Sequence, residues 1–239
     1  MSQPLSRRKF LETAGLSAGT ATLAVAAVQA AETPPRKAVK ILGICCSPRK
    51  GKTTAAALQV CLEAAKAAAA GIEVELVELA GLKIPGQVAA GLPLDPGERD
   101  DFPQVAAKMV DPQVAGIVFG TPVYFGNMSY LCKALLDRCM LFQKEKKLTN
   151  KVAGVLAVGG GRNCGLELTI RSVQVTLMAQ QMIVVGDAPP TGHWGGTVWS
   201  GNPAVNAGPV PDITRDDGIA TVKNLGRRVA EMALRLAAG

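Results

Sequence analysis

Residues 41–58, I-L-G-I-C-C-S-P-R-K-G-K-T-T-A-A-A-L, run from an unbroken apolar segment through a short polar turn into an alanine-rich stretch. That order predicts a strand, a tight turn and a helix. The turn falls at the helix N-terminus, where backbone N–H groups have no intrahelical partner and the helix dipole favours an anion. Ser47, Arg49, Lys52, Thr53 and Thr54 bring hydroxyls and positive charge to that point, with Gly51 among them. A phosphate monoester fits such a turn. A plain strand-to-helix connection capped by Ser or Thr is the other reading of the same residues. A nucleoside-triphosphate loop is excluded, because G-x-x-x-x-G-K-[ST] requires glycine where Cys46 stands. The dinucleotide fingerprint G-x-G-x-x-G is missing as well.

The rest of the chain repeats the alternation of strand and helix, which argues for an α/β fold. Strands are expected over 39–45, 72–79, 115–120, 152–158 and 182–185, and helices over 53–70, 101–110, 129–141, 166–181 and 216–237. The segment I-E-V-E-L-V-E-L at 72–79 alternates and suits a sheet edge, whereas the wholly apolar 115–120 suits a central strand covered on both faces. Residues 83–102 are rich in Pro, Gly and Asp and read as a long surface loop of the kind used for lids or subunit contacts. Residues 186–212 read as a second long loop.

Two further loops follow strands. Thr121-Pro122-Val123-Tyr124-Phe125-Gly126-Asn127-Met128 places a proline, two aromatics and a glycine after the central strand, a flat apolar surface suited to a planar ring. Gly159-Gly160-Gly161-Arg162-Asn163-Cys164-Gly165 follows the next strand and allows close backbone approach to a ligand.

Residues 1–31 have the composition of an export signal. Arg7-Arg8-Lys9-Phe10-Leu11 is a twin-arginine sequence, and a mildly apolar stretch ending in small residues follows it. The expectation is export by the twin-arginine translocase to the periplasm or cell envelope. Without this segment 26 basic and 19 acidic residues become 23 and 18. That mild excess, without a block of like charges, gives no reason to invoke nucleic acid. Residues 37–239 then form one domain with enough apolar composition for a single core.

The phosphate turn, the aromatic loop and the glycine loop leave the first, third and fourth strands. In a doubly wound parallel sheet of order 2-1-3-4-5 they meet at the topological switch point. With S-P-R before Gly51 and Thr53-Thr54, T-P-V-Y-F-G-N before a helix containing Lys133-Ala134-Leu135-Leu136-Asp137-Arg138, and G-G-G-R-N-C-G, the sequence resembles the NADPH-dependent FMN reductase and iron–sulfur flavoprotein branch of the flavodoxin-like superfamily. The resemblance covers residues 37–239 and implies a three-layer sandwich around a five-stranded parallel sheet. It implies FMN as cofactor, NAD(P)H as reductant, a small acceptor such as a quinone, metal or nitro compound, and a homo-oligomer, dimer or tetramer. Carried over by position, Ser47, Arg49, Lys52, Thr53 and Thr54 would hold the FMN phosphate. Pro122, Val123, Tyr124, Phe125, Gly126 and Asn127 would line the ring and ribityl chain, and Gly160, Gly161 and Arg162 would approach the pyrimidine edge, Arg162 favouring negative charge on the reduced ring. No protein residue is expected to be catalytic in its own right, because the flavin carries the chemistry.

The chain departs from that branch in two respects. Residues 83–102 contain no cysteine, so no cluster or other metal site is expected there. An exported protein would also draw electrons from a donor in the envelope, since NAD(P)H is cytoplasmic. Two alternatives follow: an electron carrier reduced by an envelope protein or quinol, and a non-catalytic binding protein of the same fold. The six cysteines, 45, 46, 61, 132, 139 and 164, show no C-x-x-C spacing, and Cys132 and Cys139 are too far apart along a helix to bridge. An oxidising compartment leaves long-range pairs open, and Cys164 stands in the expected flavin loop. His193 reads as structural, and Trp194 and Trp199 as either a flavin cap or a subunit contact.

Overall fold

Strand β1 (Val39–Cys45) carries one charged residue, Lys40, and is otherwise buried, as a strand covered on both faces must be. Its neighbours are β2 (Ile72–Glu78) on one side and β3 (Val114–Tyr124) on the other, both parallel. Strand β5 (Val152–Gly159), buried at every position, lies beyond β3, and β6 (Ile183–Val184) lies beyond β5. The order β2-β1-β3-β5-β6 is the expected 2-1-3-4-5 of a flavodoxin-like sheet. The computed structural model describes residues 38–199, 213 and 218–238. The twin-arginine segment, Asp216 and Asp217 lie outside the described residues.

Helices cover both faces. On one side α1 (Thr53–Lys66) and α6 (Ile219–Ala238) pack Leu58, Leu62, Val222, Leu225 and Val229 onto Ile41, Val118 and Leu156. On the other, α2 (Phe102–Val110), α3 (Tyr130–Arg138) and α5 (Leu166–Ala179) pack Val105, Leu135, Ile170 and Val173 onto Leu42, Ile44, Phe119 and Val155. Alternate residues of each strand serve opposite cores, which gives the three layers. The α6 face is set by Val222, Leu225, Gly226, Val229, Ala230 and Ala233, at the spacing of one helical stripe. Gly226 rests against the Cys61 backbone of α1, where any side chain would collide.

Several boundaries differ from the sequence reading. Helix α1 stops at Lys66 because an Ala68 N–H to Ala65 O bond tightens its last turn before Gly71, at φ +83°. The helix expected over 129–141 is divided into α3 and the single turn α4 (Met140–Gln143). Strand β3 outruns its expected end by continuing through Thr121-Pro122, paired with β5 up to Pro122 opposite Val158. Its β1 neighbour ends opposite Gly120, so Pro122 sits where one side of β3 is already an edge. It then folds back as β4 (Asn127–Met128), antiparallel to β3.

The largest correction concerns the fifth strand. It resumes as β7 (Gly196–Trp199), inside the stretch expected to be loop, and pairs in parallel with Leu156–Gly159 of β5. Residues 185–195 form an excursion between its two halves. The chain can re-enter the sheet because Gly195 passes against the Val155 carbonyl and Gly196 against the Leu156 side chain. The excursion is closed by buried Asp187, which accepts from the His193 amide and the Thr191 hydroxyl. Asn224 of α6 donates to Thr191 Oγ1 at 2.7 Å.

The 83–102 loop is anchored at its base. Arg138, the last residue of α3 and 3 % exposed, donates to the Pro85 carbonyl at 3.1 Å and to both oxygens of Asp100 at 3.1 and 2.8 Å, and lies over the Phe102 ring. Burial alone would raise the Asp100 carboxyl, but the Arg138 hydrogen bond, the Phe102 amide and the Arg138 charge hold it below its ordinary value. A lowered folded value means stabilisation that is present above the unfolded value and is lost as pH falls through the folded one. Asp100→Asn is therefore expected to destabilise the protein at neutral pH by about 1–3 kcal/mol, since it leaves a buried guanidinium poorly matched. In urea denaturation the gap from wild type should close in acid, at a pH under the ordinary carboxylate value of about 3.9.

Candidate functional site

The three loops marked out by the sequence come together at the carboxyl ends of β1, β3 and β5. Their meeting is built from hydrogen bonds that the sequence reading did not include. Ser129, the N-cap of α3, is fully buried and accepts from the Cys132 amide at 3.1 Å. The same hydroxyl donates to the Cys46 carbonyl at 2.6 Å, and the Ser129 amide donates to Thr121 Oγ1 at 3.1 Å. The residue before the phosphate turn, the end of β3 and the start of α3 are therefore fixed to one residue. A serine directly before an apolar helix is a capping signal, but its reach to Cys46 is tertiary and leaves no mark in the local sequence.

In the phosphate turn, Ser47 is buried and its hydroxyl accepts from the Arg49 amide at 3.1 Å, closing a local turn. Gly51, at φ +64°, donates its amide to Glu78 Oε2 at the end of β2, at 2.7 Å. Lys52 occupies the N-cap of α1 in an extended conformation and makes no side-chain cap, and the first turn carries no acidic residue. Thr53 and Thr54 are buried in that turn. An uncapped helix start surrounded by Arg49, Lys52 and hydroxyls is a donor set suited to a phosphate monoester. The residues present thus fit the 5′-phosphate of FMN.

The aromatic loop is a tight hairpin. Val123 and Tyr124 pair with Met128 and Asn127, and Phe125 and Gly126 form the turn at φ +51° and +75°. Two successive positive φ values match a type I′ hairpin, in which glycine or asparagine is the usual first residue. Phe125 stands there instead and is fully exposed, and Tyr124 is 41 % exposed. Pro122 is buried at the base of the hairpin.

The glycine loop touches the hairpin directly. Gly165, at φ +92°, lies so close to Gly126 that an added Cβ would stand 2.8 Å from its Cα. Gly159 packs against the Cys164 thiol. The carbonyl of Gly160 accepts from the Trp199 indole at 2.6 Å, and the Arg162 guanidinium lies over the same indole, 5.2 Å from its ring centroid. Trp199 therefore supports the loop from β7. Trp194 instead lies under Arg171 of α5, and His193, half exposed, keeps its ring 3.6 Å from Asp187. Both belong to the excursion, and neither is among the loop residues that meet at the strand ends.

The geometry agrees with comparison to known proteins. The family described as NADPH-dependent FMN reductase matches residues 39–195. The chain belongs to the NADPH-dependent FMN reductase family. It is 37 % identical over 199 residues to an iron–sulfur flavoprotein of Methanocaldococcus jannaschii, covering 81 % of this chain and 97 % of that one. It is 30 % identical over 182 residues to an NAD(P)H dehydrogenase (quinone) of Archaeoglobus fulgidus, covering 73 % and 92 %. A solved NADH:FMN oxidoreductase in its apo form superimposes with a TM-score of 0.57 at 20 % identity, covering 81 % and 89 %, which shows the shared fold. This FMN reductase relative is an FMN-dependent oxidoreductase. Among its described residues no group of three or more His, Cys, Asp or Glu is placed to hold a metal ion.

The hairpin of this flavoprotein carries an internal test. A bulky side chain in the left-handed region costs about 1 kcal/mol relative to glycine. Phe125→Gly is therefore expected to raise the urea midpoint slightly while weakening FMN binding, read by flavin fluorescence. A loss of stability, or unchanged flavin affinity, would show that Phe125 serves the fold and not the ligand.

Proposed function

We propose that this protein binds FMN across the three loops, takes electrons from NAD(P)H and passes them to a small acceptor of the quinone class. The observation that carries the reading is the joining of an uncapped, cationic helix start to an exposed aromatic hairpin through Ser129. The first provides for a phosphate and the second for a planar ring, and the carboxyl ends of β1, β3 and β5 place them together. When bound, FMN supplies the capacity to accept a hydride and release one or two electrons.

The chain's own residues bind and orient. Ser47, Arg49, Lys52, Thr53 and Thr54 hold the phosphate. Pro122 to Asn127 line one side of the ring and exclude water from it, and Gly160, Gly161 and Arg162 approach the pyrimidine edge, with Trp199 keeping the Arg162 charge at the rim. The quinone assignment is supported by the relative named as an NAD(P)H dehydrogenase (quinone). Export is a second reading, supported by Arg7-Arg8 and the small-residue stretch that follows, and in the envelope a protein or quinol donor takes the place of NAD(P)H.

Each charge-assisted contact to phosphate is worth about 1.5–3 kcal/mol. Arg49→Ala and Thr54→Val are accordingly expected to weaken FMN roughly tenfold to a hundredfold, while leaving riboflavin, which lacks the phosphate, nearly unaffected. Fluorescence titration with both flavins, followed by anaerobic NADPH addition and then a quinone, tests binding and turnover separately. Equal weakening of FMN and riboflavin would remove the phosphate assignment. An FMN band that NADPH leaves unbleached would remove the NAD(P)H reading.

A further inference from the structure

All six cysteines are free, and five are buried. They do not share one environment. Cys45 faces the α1/α6 core with Cys61, whereas Cys46, one residue on, faces the opposite core with Cys132 and Cys139. Within that second core the Ser129 hydroxyl spans the Cys46 carbonyl and the Cys132 amide, so a single oxygen joins the two backbones. Both residues have no exposed surface and belong to the same buried cluster. Cys139 lies seven residues further along the helical segment, about 10 Å at 1.5 Å per residue. The juxtaposition selects one pair.

We propose that Cys46 and Cys132 form a reversible disulfide that ties the phosphate turn to the first turn of α3. The oxidant is a low-molecular-weight disulfide such as oxidised glutathione. One cysteine thiolate attacks it and releases a glutathione thiol. The second cysteine then attacks the resulting mixed disulfide and releases another. One S–S bond is broken and one is formed; the two cysteine protons end on the two glutathione thiols, and two electrons pass to glutathione. The bond ties Cys46, and with it the adjoining Ser47, covalently to α3. The pair thus couples thiol redox state to the phosphate turn.

In the native fold this pair is protected. The neighbouring Cys132 side chain and burial hold the Cys46 thiol well above the ordinary range, so little thiolate is present to react. Oxidation therefore belongs to folding or to opening of the turn, and the test gives the oxidant access. The full-length protein is refolded from denaturant in a glutathione redox buffer, and its thiols are titrated after denaturation. The expected result is four titratable thiols in place of six, with a reducible peptide joining Cys46 to Cys132. Cys132→Ser, treated in the same way, should keep all five of its remaining thiols; Cys132→Ala serves if the serine variant does not fold. Six titratable thiols after oxidative refolding of the wild type, or a cross-link joining either residue to a different cysteine, would overturn the proposal. The readout uses no flavin, so it stands or falls independently of the FMN assignment.

Discussion

The Ser129 hydroxyl holds together parts of the site that are far apart in the chain. It accepts from an amide of the helix it caps and donates to the carbonyl that ends the β1 segment, and its own backbone amide is held by Thr121 at the end of β3. Each of these groups is buried, so each would carry a desolvation cost without its partner. Satisfying them together leaves one arrangement in which β1, β3 and α3 can end side by side. The phosphate turn and the aromatic hairpin are then positioned by their roots, with Phe125 exposed at the hairpin tip.

That arrangement needs a closely covered sheet beneath it, which the glycines of the strand interiors provide. Gly43, Gly116, Gly120 and Gly154 all face α1 or α6, where a Cβ would stand 2.7–2.9 Å from Leu58, Leu62, Ile41 or Val229. Gly226 lets α6 lie against α1 on the same side. Large aliphatic side chains thus fill the space that the strands leave empty, in the interdigitated manner of a dense interior. The opposite face uses Leu42, Ile44, Ile117 and Phe119 as its own knobs and receives α3, the helix that Ser129 caps.

The fold was largely legible in the sequence because its signals are local. Apolar runs such as 115–120, the alternation at 72–79 and the S-P-R turn each report on a few neighbouring residues, and the parallel order follows once strands and helices alternate. What stayed hidden depends on residues distant in sequence. Strand β7 has only four residues between glycine-rich and proline-rich segments, and it exists because β5 is there to pair with it. Arg138 carries a motif of the family resemblance, yet its partners are Pro85, Asp100 and Phe102, beyond any window of helical periodicity. The three loops of the proposed site were legible by residue type and by their place after β1, β3 and β5. Their fastening by Ser129, Trp199 and Glu78 was not.

Glu78 bears on how the phosphate turn can select an anion. Its carboxylate takes the Gly51 amide, so that backbone donor is engaged within the protein. The register makes this possible: Glu78 lies opposite Cys45, the last residue of β1, and the turn begins just beyond. Under the proposed FMN assignment, anion binding at the turn falls to the α1 start, the hydroxyls of Ser47, Thr53 and Thr54, and the charges of Arg49 and Lys52. A carboxylate beside that set opposes a second negative charge by ordinary Coulomb repulsion. The lysines at positions 50 and 52 offset it. On that assignment, side-chain charge in this turn carries selectivity that a glycine-rich loop would obtain from backbone amides.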